Sequence, residues 1–162
     1  MSWLFRYTGA VLMMICATVI AFGYKRYVAR AERERDGFSK LIDYMRIRID
    51  CYLSTVGEMF SDFRCDAIEP FLTRVRNGER VEAAFGLSRR VFAIGKEGAD
   101  ILERLFSLLG REYKSGVISS IDSSRAAFLE YSAKAREEEK KNVRLVCALL
   151  LGGVLGVVIL LI

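Results

Sequence analysis

The sequence predicts an all-α protein: a helical bundle flanked by an N-terminal and a C-terminal transmembrane helix. Three observations lead there. The 162 residues contain one proline, the residue that most strongly breaks a helix, and few β-branched runs. Apolar residues from Phe38 to Phe60 recur at helical spacing. Uncharged runs of 18 residues occupy 7–24 and 145–162.

The first run, YTGAVLMMICATVIAFGY, would form a helix of roughly 27 Å, close to the ~30 Å hydrocarbon core of a bilayer. A cleaved secretory signal competes with that reading, because Ala21-Phe22-Gly23 passes for a small-x-small cleavage site. Such a signal wants its positive charge before the apolar region. Here only Arg6 and the N-terminus supply it, while Lys25, Arg26, Arg30, Arg33 and Arg35 come after. An uncleaved anchor is the better reading.

Beyond the anchor, Phe38, Leu41, Ile42, Met45, Ile49, Tyr52, Leu53, Val56 and Phe60 fall within a stripe of about 120° at ~100° per residue, with Lys40, Asp43, Asp50, Ser54 and Glu58 opposite. This predicts a long amphipathic helix that continues from the first span, with Asp36-Gly37 as a joint, and ends near Phe63. Asp66 reads as an N-cap, with Glu69 completing a capping box and Pro70 tolerated in the first turn. A short helix would then bury Phe71, Leu72 and Val75, and Asn77-Gly78 would stop it. Val81, Ala84 and Phe85 mark another short helix. Gly86, Gly95 and Gly98 break up the next stretch of chain. Ile101, Leu102, Leu105, Phe106, Leu108 and Leu109 form a strong helical face closed by Gly110.

The last helix is expected to begin near Ser115, with Val117, Ile121, Ser124, Phe128, Tyr131 and Ala135 on one face. Its stripe then gives way to a charged stalk, 136–144, in which Glu137 and Lys141 form an i,i+4 pair. The stalk leads into the second span, 145–162. The domain plan is therefore a transmembrane helix at 7–24, a cytoplasmic α-helical domain at 25–144 and a transmembrane helix at 145–162.

Orientation follows from the bases near the spans. The first span carries its excess on the C-terminal side. The second carries Lys134, Arg136, Lys140, Lys141 and Arg144 on the N-terminal side. Both place 25–144 in the cytoplasm, with the two termini reaching the opposite face of the membrane. The middle segment holds 24 bases against 20 acids, a net charge of +4. Its bases crowd toward the spans, which points to lipid headgroups and not to nucleic acid. Cys16 and Cys147 lie inside the spans as small hydrophobes, and Cys51 with Cys65 makes no disulfide framework.

Catalytic equipment is scarce. The chain has no histidine, the commonest general base and metal ligand. Gly95-Lys96-Glu97-Gly98 lacks the rest of a phosphate loop. Glu137, Glu138 and Glu139 face different directions on a helix and cannot converge on one metal. No catalytic, cofactor-binding or metal-binding residue is expected, and no cofactor. Interaction features are more visible. Gly152 and Gly156 form a GxxxG that lets membrane helices approach closely, a route to a homo-oligomer. Tyr44, Ile47 and Cys51 make a second apolar patch on the polar side of the long helix, a candidate partner contact.

The C-terminal third, LLGREYKSG, then an amphipathic helix, then KKNVRLVCALLLGGVLGVVILLI, resembles stage III sporulation protein AB of endospore-forming bacteria. Glu82-Ala83-Ala84-Phe85 is similar to that family's Glu-Ala-Trp stretch, and Leu108-Leu109-Gly110 to its Leu-Gly before a Ser/Asp-rich turn. The chain departs from the pattern at Arg111 to Gly116, where the Ser-Asp and the glutamine are missing. The resemblance implies a fold like the type II secretion F domains. It also implies a place in the secretion-like sporulation channel between mother cell and forespore, where the protein would dock a secretion-type ATPase and other channel subunits from the mother-cell side. On the residues alone, a non-catalytic membrane-anchored assembly or scaffold protein is the first expectation. A membrane-bound regulatory, signal-transmitting helical protein is the alternative.

Overall fold

The computed structural model describes residues 2–52, 56–109 and 114–161, and no strand occurs among them. Six α-helices are present in the order α1 (Ser2–Tyr52), α2 (Val56–Asp62), α3 (Glu69–Arg76), α4 (Val81–Ser88), α5 (Lys96–Leu108) and α6 (Lys114–Leu161). Short 3-10 turns, Asp66–Ile68 and Arg89–Val91, lead into α3 and out of α4. The chain divides into two compact units, one made of Arg30–Ala135 and the other of Met1–Ala29 with Arg136–Ile162. The bundle unit thus begins at Arg30 and ends at Ala135, inside the 25–144 read from the charge pattern.

The core of the bundle unit is built from the predicted stripe. Phe38, Leu41, Ile42, Met45 and Ile49 of α1 are buried, as is Phe60 of α2, while Lys40 is exposed. The side chains of Tyr52, Leu53 and Val56 lie outside the described residues. Phe71, from the eight-residue α3, is the hub of the aromatic packing. Its ring centroid lies 6.0 Å from Phe38, 5.8 Å from Phe60, 5.9 Å from Phe85 and 5.1 Å from Phe106. One ring therefore touches α1, α2, α4 and α5. The Phe60 and Phe85 pairs are edge-to-face, the arrangement favoured by the ring quadrupole.

Within this unit α1 and α6 run antiparallel. Arg46 pairs with Asp122 and Asp43 with Arg125, both at 2.5 Å, so the partner number on α6 falls as the number on α1 rises. Val117, Ile121, Phe128 and Tyr131 of α6 are buried and Ala135 is packed against the core, on the face the spacing predicts. The helix starts at Lys114, one residue before the expected Ser115. Gly110 and residues 111–113, the atypical segment of the sequence, lie outside the described residues.

Two local expectations are corrected. No joint exists at Asp36-Gly37, because α1 is continuous through it. A Cβ added to Gly37 would stand 3.1 Å from Cys65 Sγ and 3.2 Å from Ile68 Cγ2. The glycine lets the turn before α3 come close to α1. It does not bend the helix. Nor does Asp66 form a capping box with Glu69. Cys65 stands at the N-cap of a 3-10 turn that begins with Asp66, and no side chain caps it. Glu69 Oε1 instead accepts a bond of 2.6 Å from Arg76 Nη1. The end of α3 is as predicted. Gly78 has φ +91°, Glu79 N–H bonds the Arg74 carbonyl and Gly78 N–H that of Val75, which is a Schellman closure.

In the other unit, Val11, Leu12, Met13, Met14, Ile15, Val19, Ile20 and Phe22 of α1 are all exposed. Thr18 Oγ1 donates to the Met14 carbonyl at 2.8 Å, so this hydroxyl is satisfied within its own helix. Leu145, Leu149 and Leu155 of α6 are exposed as well.

Candidate docking surface

Of the patch expected from sequence, the side chains of Tyr44 and Ile47 are described. Tyr44 is half-buried, its ring centroid 5.2 Å from that of Phe63 at a 47° tilt. Arg48 Nε donates to the Tyr44 hydroxyl at 2.8 Å, and Arg48 Nη2 to Asp62 Oδ2 at 2.8 Å. The Tyr44 hydroxyl, with Asp62 nearby, holds the Arg48 guanidinium pKa above its ordinary value. Tyr44 therefore pins the end of α2 to α1. Ile47, one turn on, is exposed and does present an apolar group to solvent. The side chain of Cys51 lies outside the described residues. Gly152 and Gly156 are exposed, and a Cβ at either would meet nothing within 4 Å. Their face of α6 is open to close approach.

A second surface had no obvious signal in the sequence. The carboxylate of Glu34 is buried although it sits in the charged run Glu32 to Asp36. Its Oε1 accepts from Arg30 Nε at 2.8 Å and its Oε2 from the Ala93 N–H at 2.5 Å. Arg30 Nη2 also donates to the Val91 carbonyl at 2.7 Å. On the other side, the Tyr131 hydroxyl accepts the Gly95 N–H at 3.0 Å. The connection between α4 and α5 is thus held at three backbone groups, two by α1 and one by α6. Spacing alone could not have found Glu34, since neighbouring charges of a solvated face look identical.

Arg35 is buried too, at 1% exposure. It therefore does not belong to the headgroup-facing basic cluster in which the sequence places it. Lys25, Arg26 and Arg33 are exposed, as are Lys134, Arg136, Lys140, Lys141 and Arg144. The Glu137–Lys141 pair is formed at 2.8 Å. The Lys141 ammonium hydrogen-bonds the Glu137 carboxylate, which lowers the acid's pKa and raises the lysine's. Among the described residues no three His, Cys, Asp or Glu side chains are placed to hold a metal ion.

Fold and surface together define a class: a small all-α domain carried on long helices, offering surfaces and ion pairs. Among the described residues one helical stretch, Val11–Ile49, contains a window long and apolar enough to cross a membrane, and none of that window is buried. The chain belongs to the stage III sporulation protein AB family, whose model matches residues 6–162, essentially the whole length. It is a protein of the sporulation stage. No curated relative and no solved structure matches it.

Proposed function

We propose that the protein is a non-catalytic, membrane-anchored assembly subunit of a secretion-like channel between mother cell and forespore. In this reading residues 7–24 and 145–162 cross the membrane and 25–144 face the mother-cell cytoplasm. The bundle then presents its outer faces to the channel's ATPase and neighbouring subunits, and the GxxxG of α6 can pair with another membrane helix. The resemblance to type II secretion F domains belongs to the same proposal.

The observation that carries it is the unbroken α1. The same helix has apolar, exposed residues at its N-terminal end and, further on, the stripe that the bundle buries. Bases flanking each apolar segment support the cytoplasmic orientation. Family membership supports the setting. Anchoring acts through position, because a domain fixed at the membrane meets its partners at high effective concentration.

The test is Ile47→Asp. The side chain is 53% exposed, so the variant should melt like the parent while recovering less of its partners when purified from detergent extracts of sporulating cells. Undiminished recovery would remove Ile47 from the docking face. A regulatory reading draws support from the same continuous α1, which could carry motion from span to bundle. A helix-breaking Gly-Gly insertion after Ala29 separates the two: an assembly subunit would still recover its partners, whereas a transmitter would not signal.

A further inference from the structure

Helix α4 carries apolar residues on both its inner and its outer side. Inward it buries Ala84, Phe85 and Ser88; outward it exposes Glu82, Ala83, Gly86 and Leu87, and Val91 comes one turn later in the 3-10 turn. Leu87 is 60% and Val91 51% exposed, and Glu82 is the sole charge among the eight residues of α4. Exposed apolar side chains such as Leu87 and Val91 gain free energy when something covers them.

We propose that the corner from Leu87 to Val91 sits in the headgroup layer of the membrane, against anionic lipid. Attachment carries the argument. The Val91 carbonyl is bonded by Arg30 and the Ala93 N–H by Glu34, so this corner is fixed to α1 at Arg30–Glu34. Arg30 stands six residues beyond Tyr24, the last residue of the first uncharged run. In helical geometry that is ~9 Å, and even a fully extended chain could not exceed ~21 Å. The corner is therefore held within reach of the interface. Its chemistry fits that place, because Arg90 is exposed between Leu87 and Val91, which sets a cation beside apolar groups as interfacial elements do. Two apolar side chains would bind a distant bilayer weakly. Tethered this close, they meet it at high effective concentration. The inference rests on the reading of 7–24 as a membrane span.

The experiment uses the full chain in vesicles of phosphatidylcholine with phosphatidylglycerol. Trp3, the only tryptophan, is first replaced by phenylalanine, and Leu87→Trp is then introduced. Flotation with the vesicles reads the anchor, and quenching of the indole by lipids brominated near the headgroup reads the corner. The expected result is flotation with a blue-shifted emission that loses intensity to the brominated lipids, in keeping with burial of ~5–10 Å into the interface. Ile47→Trp in the same background should emit as in water and stay unquenched. Arg90→Glu should weaken the quenching of Leu87→Trp in anionic vesicles and leave it unchanged in neutral ones. Flotation with an unquenched, water-like indole would overturn the corner's placement and leave the anchor standing. A blue-shifted yet unquenched indole would mean that a second copy covers the face, and would equally overturn the lipid assignment. Absence of flotation would refute the span itself, and the corner's role with it.

Discussion

Gly98 lies in the first turn of α5, where a Cβ would come 2.3 Å from Tyr131 Cε1 and 2.8 Å from Ile94 Cγ2. The aromatic ring of α6 occupies the space that a side chain would need. Gly98→Ala should therefore destabilise the full-length protein by about 1–3 kcal/mol, the usual cost of overpacking, read as a lowered melting temperature in mild detergent. Adding Tyr131→Ala should give a combined loss smaller than the sum of the two single changes, because the residues share one contact. Tyr131→Phe keeps the ring and removes the acceptor of the Gly95 N–H, a change expected to cost about 0.5–1.5 kcal/mol. At Glu34 the stakes are higher. Glu34→Ala would leave the Ala93 N–H and Arg30 without their carboxylate, and about 1–3 kcal/mol should be lost. Hydrogen exchange at Ala93 should then speed up before the rest of the bundle opens. A substitution whose effect is spread evenly over all amides would refute the local clamp.

Between elements, α1 and α6 meet through two copies of the same pattern. Asp43 and Arg46 face Asp122 and Arg125, each acid bonding the base of the other helix. Reciprocal pairing of this kind fixes one antiparallel register, since a slip by one turn would set like charges against each other. Each pair is about half exposed, so its contribution is about 0.2–1 kcal/mol. Asp43→Arg alone should cost more than that by placing two arginines together, and adding Arg125→Asp should restore most of the loss. Equal melting temperatures for the single and double variants would show that the pair has no part in register. Phe71→Ala tests the hub of the core. Removing a ring that touches four others should cost about 3–5 kcal/mol, enough to threaten a domain whose whole stability is of order 5–15 kcal/mol. In the stalk, Glu137 has its pKa lowered in the folded helix and Lys141 has its raised. The pair's support is complete at neutral pH. It fades as pH falls through the acid's folded pKa and, at the other extreme, as pH rises through the lysine's. Amide protection in 136–144, corrected for intrinsic exchange, should accordingly peak between those limits, and a flat profile would dismiss the pair's role.

At the scale of the whole molecule, the proposed topology makes its own prediction. A protease site inserted in the 79–80 turn should survive protease added to intact cells and be cut once the membrane is opened. Cleavage in intact cells would reverse the orientation. The helical class, the buried stripe of α1 and the apolar run of its N-terminal end are legible in the sequence, because each depends on spacing or composition within one segment. Asn77-Gly78 is legible for the same reason: a helix stop is a local event needing one residue with positive φ. Arg35 and Glu34 are not, since a charge inside a charged run carries no mark of what will cover it. Tyr44 passes for a surface residue in the sequence because its partner, Phe63, arrives from beyond its own helix. Gly37 misleads in a similar way: a glycine needed for a neighbour's approach looks the same as a hinge.

By itself, the sequence determined that the chain would be helical, which residues of each helix would share a face, and where the apolar ends would lie. Hydrogen bonding within a helix and a repeat of 3.6 residues are properties of neighbouring residues, and no other part of the chain is needed to express them. Only the tertiary structure decided which faces are covered. It put Glu34 and Arg35 inside, used Gly37 and Gly98 to bring elements together, tied the α4–α5 connection to α1 and α6, and left the outer face of α4 bare. Those outcomes depend on which segment meets which, and contacts between distant residues leave no trace in the local pattern of either.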